Sequence, residues 1–257
     1  MSTITTAVPS SLPALPRLTL SETRLFLRDP AAIIFGPVLA PVLMLILGFV
    51  PSFRVPDPGL GGLRVVDLFA PILVGVGVAS LALTVLPQLL ASYRQQGILR
   101  RLRTTPMRPV LLLLAQLVMC TGLAAASAAL VLAIARVPHG VAVPQNLPAY
   151  VLGFLFTSVA MMGLGVLIGA LAPSGQAASG FGMLTYFPLL FLGGLWLPRE
   201  AMPEMLRTLS DLSPLGAGVA SLQHAAVGGW PEPGHLAVMA LWSAVTIAAA
   251  SRFFRWD

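Results

Sequence analysis

The sequence predicts an all-α polytopic membrane protein with six transmembrane helices, an N-terminal amphipathic surface helix and short re-entrant helices between spans five and six. Two observations carry this expectation. Hydrophobic residues make up 57% of the chain and charged residues 9%, against about 25% charged in an average soluble domain. Such a chain cannot cover itself with polar side chains, so the bilayer is its solvent. In addition, six windows each hold the roughly 20 apolar residues that crossing a hydrocarbon core requires, and none has Asp, Glu or Arg in its central part.

Taken in order, residues 1–16 (MSTITTAVPSSLPALP) are rich in Ser, Thr and Pro and uncharged. They have neither the basic start nor the apolar core of a signal peptide, and read as a disordered cytoplasmic tail ahead of a transmembrane domain over 17–257. The segment TLSETRLFLRDP starts with a capping-box spacing, Thr19 to Glu22. Arg17, Arg24 and Arg28 fall on one helical face, which suits a helix lying on anionic headgroups, and Pro30 is expected to end it. The spans are placed at about 31–50, 68–90, 109–135, 149–172, 177–197 and 235–254. Pro37, Pro41, Pro87 and Pro188 should kink or interrupt their helices. Gly165 and Gly169 form a GxxxG pair that permits close helix contact. Between spans five and six, two short helical patterns break at Ser213-Pro214, and the apolar part, about 214–227, is too short to cross, so a re-entrant element is expected.

The net charge is +6, and all fifteen cations are arginine. With no lysine and no P-loop motif the chain has no lysine-based phosphate cradle, Schiff base or general base. The single cysteine, Cys120, lies in an apolar run and reads as a small buried hydrophobe; no intrachain disulfide is possible. His139, His224 and His235 are far apart in sequence, and no metal site is expected. With six spans both termini share a side. That side receives ten arginines, and the other receives five together with six of the nine acids. The positive-inside rule then puts both termini in the cytoplasm of a plasma (inner) membrane protein.

Two polar features stand out. Ser80, Thr84 and Gln88 recur every fourth residue in the second span, share one side of that helix and are candidates to line a path, because polar groups at membrane depth face protein or water. The cytoplasmic loop RQQGILRRLRTTPMRP, 94–109, holds five arginines and no acid. Gly97 interrupts the helix leaving span two, Thr104 or Thr105 can cap a new helix with Pro106 in its first turn, and Arg100, Arg101 and Arg103 cluster on the break. A topology signal needs only scattered arginines, not an ordered break.

At GILRRLRTTPMRP, at FLGGLWLPREAMPEMLRTLSDLSPLGAGVASLQHAAVGG and at LRDP before span one, the chain resembles the ABC-2 type permeases, the membrane subunits of one class of ABC exporters. The resemblance covers nearly the whole chain after the tail. Gln95 and Gln96 stand where many members carry an acidic residue, which removes the charge for an ionic contact there. The resemblance implies a dimer of permeases, identical or homologous, bound to two copies of a cytoplasmic ABC ATPase. The loop over Gln95, Gln96, Gly97, Arg100, Arg101, Arg103, Thr104 and Pro106 would be the coupling helix seated in an ATPase groove, and the surface helix would pack nearby. The expected function is export of an amphipathic or lipophilic compound such as a drug or antibiotic, or alternatively of a lipid or lipid-linked glycan. No catalytic residue and no directly bound cofactor are expected; ATP and Mg act through the partner ATPase. Membrane lipids are the other partner, and nucleic acid is not.

An ATPase-independent secondary transporter would need an ionisable intramembrane site, which the windows lack. An intramembrane serine protease would need Ser179 and His235 at matching depths, and the predicted topology puts them near opposite faces.

Overall fold

The computed structural model describes residues 14–56, 62–97 and 110–253. Their regular structure is helical: α1 (Ala14–Phe26), α2 (Pro30–Phe49), α3 (Val65–Gln95), α4 (Val110–Arg136), α5 (Leu147–Leu171), α6 (Gly175–Leu192), α7 (Glu204–Leu212), α8 (Pro214–Ala226) and α9 (Pro233–Phe253). Five of these, α2, α3, α4, α5 and α9, are long and apolar enough to cross a membrane. The remaining expected span, the fifth, corresponds to α6, which is 18 residues long and opens on the weakly apolar turn GQAASG.

Helix α3 is the axis of the bundle. Its residues from Val66 to Leu83 are almost all buried, and α2, α4, α5, α6 and α8 pack around it. Helices α5 and α9 pack on each other along their length, and α8 fills the space between α3, α5 and α9.

Caps set where the helices begin. Asp29 accepts hydrogen bonds from the amides of Ala31 and Ala32, with Pro30 at the first helical position. Asn146 caps α5 and Ser174 caps α6. Ser213 caps α8 through the Gly216 amide at 2.9 Å, so the expected break at Ser213-Pro214 is present.

Two details of the first helix correct the expectation. It begins at Ala14, so Thr19 is inside it and donates its hydroxyl to Leu15 O at 3.0 Å; Thr19 and Glu22 form no capping box. Pro16 is tolerated in the first turn because its missing N–H has no intrahelical partner there. Pro30 does not end this helix, which stops at Phe26; it opens α2.

The prolines of spans one and two do interrupt regular helix, as π turns at Ile34–Val38 and Leu81–Val85. Three freed carbonyls are covered. Pro41 has no N–H for Pro37 O, and Ser127 on α4 donates its hydroxyl to that oxygen at 2.7 Å. In the second π turn the Leu86 amide bonds Leu81 O, which deprives Ala82 O, and Pro87 deprives Leu83 O. Gly165 of α5 sits over Ala82 O and Gly182 of α6 over Leu83 O, each so close that a β-carbon would overlap the oxygen. The expected GxxxG contact is thus made, with Gly169 against Leu90 and Pro87 of α3.

Candidate functional site

At the end of α3 that leads into the basic loop, the helix is clamped from two sides. Arg94 donates to Ala170 O at 2.9 Å and also to Ala172 O, satisfying carbonyls at the C-terminus of α5. Gln95 Oε1 accepts the Gly175 amide at 3.4 Å, at the first residue of α6. Gly97 has φ +67, the left-handed conformation that glycine adopts without a β-carbon penalty, and the helix stops before it. Gln96 is exposed. Arg100, Arg101, Arg103, Thr104, Thr105 and Pro106 lie outside the described residues.

The surface helix reaches the same end. Arg17, Arg24 and Arg28 are exposed, while Phe26 is buried and α1 packs along α4. Glu22 points inward. It is 7% exposed, accepts the Tyr93 hydroxyl at 2.9 Å and lies 3.5 Å from Gln116 Nε2. One carboxylate therefore joins α1, the end of α3 and the first half of α4. The Thr19 spacing concealed this role; the signals for it were Gln116, an amide in an apolar run, and Tyr93.

Of the three expected path residues, the structure brings two to one cavity. Thr84 and Gln88 line a groove of about 300 Å³ between α1, α2, α3 and α6, together with Glu22, Phe35, Tyr93 and Ser179. Ser80 does not reach it. Its hydroxyl is buried and lies 2.7 Å from the Tyr186 hydroxyl of α6.

The other end of the bundle is held by polar contacts. Arg64 pairs with Asp67 at 2.7 Å, which raises the arginine pKa further, and donates to Gly140 O at 3.2 Å. The His139 ring packs against Gly48 and edge-on to Phe49, with Nδ1 3.4 Å from Arg54 Nη2. Burial, and then the Arg54 charge, lower the His139 pKa. Arg199 pairs with Asp211, which His235 approaches at 3.3 Å. His224 and His235, distant in sequence, have ring centroids 6.1 Å apart. Among the described residues no group of three or more His, Cys, Asp or Glu is placed to hold a metal ion. Cys120 is buried.

Apolar helices of bilayer length around a buried axis, with polar clamps at both ends, define a multi-pass membrane protein. The sequence model of the ABC-2 type transporter family matches residues 15–227, from the start of α1 to the end of α8. The chain belongs to that family and is a permease component of an ABC transporter. No curated protein matches it.

Proposed function

We propose that the chain is the permease of an ATP-driven exporter that moves amphipathic or lipophilic compounds, drugs or antibiotics among them, out of the cell. It works as a dimer with two copies of a cytoplasmic ATPase, and both its termini are cytoplasmic. The observation that carries the reading is the clamp at the end of α3. Arg94 and Gln95 tie the root of the basic loop to α5 and α6, so a push on the loop moves three helices together instead of bending one. Glu22, Tyr93 and Gln116 link α1 and α4 to the same end.

In this reading α6 is the fifth of six spans. Its 18 residues give about 27 Å of helix, just short of a hydrocarbon core of about 30 Å. Helices α7 and α8 then form a re-entrant pair at the outer face. The burial of Pro214 to Leu222 inside the bundle supports this, because a short element can stay at membrane depth only where protein surrounds it. The groove lined by Thr84 and Gln88 opens beside α1 and serves as the cytoplasmic approach to the path. The test is co-expression with a candidate ATPase. The reading expects a stable complex whose ATP hydrolysis responds to lipophilic compounds; a permease that never retains an ATPase contradicts it.

A further inference from the structure

Helix α7 has three different flanks. Ser210 is 1% exposed, and its hydroxyl donates to Leu192 O, at the last residue of α6, at 2.6 Å. Glu204, Arg207 and Asp211 share a second flank. Met205, Leu209 and Leu212, at i, i+4 and i+7, form the third. These three are 80%, 47% and 57% exposed, so a bare apolar flank lies on the other side of the helix from the charged one.

The depth of α7 can be read against α9, one of the membrane-length helices. His235, in the first turn of α9, lies 3.3 Å from Asp211. Trp242, seven residues further on, donates its indole N–H to Leu212 O at 2.9 Å. Seven residues are about 10 Å of helix. The end of α7 therefore lies beside the first turns of α9, within its length and not beyond it. An amphipathic helix in a membrane surface buries its apolar face about 5–10 Å into the headgroup and acyl boundary, which is the same level. Trp196 and Trp230, on either side of the α7–α8 pair in the chain, are 55% and 64% exposed, and tryptophan is enriched at this boundary.

A protein partner fits the stripe poorly. A stable interface takes about 800 Å² from each side, more than three side chains on a nine-residue helix supply. Lipid sets no such minimum, and an apolar flank across from a charged one suits a surface with hydrocarbon on one side and water on the other.

We propose that α7 is an interfacial helix, lying in the membrane plane at the end of the bundle away from the basic loop, with Met205, Leu209 and Leu212 in the acyl region of phospholipid. Of the pair read above as re-entrant, α8 is then the member enclosed by protein, and α7 is its lipid-held anchor, joined to it at Ser213. The placement rests on the membrane-length helices and is independent of the exporter reading.

The experiment puts a nitroxide spin label on single cysteines at Met205, Leu209, Leu212, Glu204 and Arg207, one at a time, in a Cys120→Ala full-length permease reconstituted in phosphatidylcholine liposomes. All five positions are exposed and should tolerate the label. Power saturation compares collisions with oxygen, which concentrates in hydrocarbon, and with a nickel chelate, which stays in water. The oxygen-to-nickel ratio should be several-fold higher at Met205, Leu209 and Leu212 than at Glu204 and Arg207. Nickel favoured at all five would put α7 in water. Oxygen favoured at all five would sink it below the interface. Labels on the stripe that neither reagent reaches would mean that protein, such as a second copy of the chain, covers it. Each of these three results overturns the proposal.

Discussion

The carbonyl oxygen of Ala82 is covered by Gly165, across the contact between α3 and α5, and no side chain fits between them. A π turn has removed that oxygen's helical partner, and the glycine lets the neighbouring backbone come close enough for a weak Cα–H contact to replace it. Gly182 does the same for Leu83 O from α6. The axis helix is thus gripped at its weakest point by two others.

Gly165→Ala and Gly182→Ala should each destabilise the protein by about 1–3 kcal/mol, the usual cost of overpacking. Gly122→Ala, where an added β-carbon meets nothing within 4 Å, should leave stability unchanged or raise it slightly, since alanine favours helix. Thermal unfolding in detergent measures all three. Equal melting temperatures would show that the close approach carries no energy.

Ser80 and Tyr186 join α3 to α6 by a hydroxyl pair at 2.7 Å. A double-mutant cycle of Ser80→Ala and Tyr186→Phe should give a coupling of about 0.6 kcal/mol, the average for such pairs in membranes. Strict additivity would mean that the two hydroxyls do not interact.

Acid should loosen the end of the bundle held by His139. Burial and Arg54 lower its pKa, so the unfolded chain binds the proton more readily than the folded one. The stability contribution is complete above the unfolded value of about 6.5 and is lost as pH falls from there through the folded pKa. Melting temperature followed from pH 7.5 to 4.5 should drop less in His139→Gln than in the parent. Parallel curves would remove the proposed role of His139.

Much of this was legible in the sequence. Five long apolar windows correspond to helices α2, α3, α4, α5 and α9, and the Ser213-Pro214 break follows from a cap residue beside a helix-starting proline. Local signals failed where tertiary partners decide. Thr19 and Glu22 have the spacing of a capping box, but a half-buried tertiary partner, Tyr93, was available to the carboxylate. Prolines predicted interruption without predicting a π turn, because the form depends on what covers the freed carbonyls, here Ser127, Gly165 and Gly182. Ser80, Thr84 and Gln88 share a helical stripe, yet a tyrosine 106 residues away takes Ser80 out of the groove.

The arginine bias of ten to five predicts cytoplasmic termini by the positive-inside rule. In a Cys120→Ala background, cysteines at Leu63 and Glu232 should label from outside intact cells, and one at Arg24 only after permeabilisation. The reverse pattern would turn the protein over and place the basic loop outside.

The central claim is that the loop carrying Arg100, Arg101 and Arg103 transmits the ATPase stroke. A charged hydrogen bond in a closed groove is worth about 1.5–3 kcal/mol, and an exposed ion pair only about 0.2–1 kcal/mol. One alanine should therefore weaken the complex modestly, three should cost several kcal/mol, and Arg101→Glu should do more harm than Arg101→Ala by placing an acid where a cation is accommodated. The direct measurement is co-purification of the ATPase with the triple-alanine variant, alongside compound-stimulated ATP hydrolysis. The account expects a correctly inserted permease that loses its ATPase or its stimulation. A triple variant that inserts, keeps its ATPase and transports normally would make the loop a topology signal and contradict the coupling role.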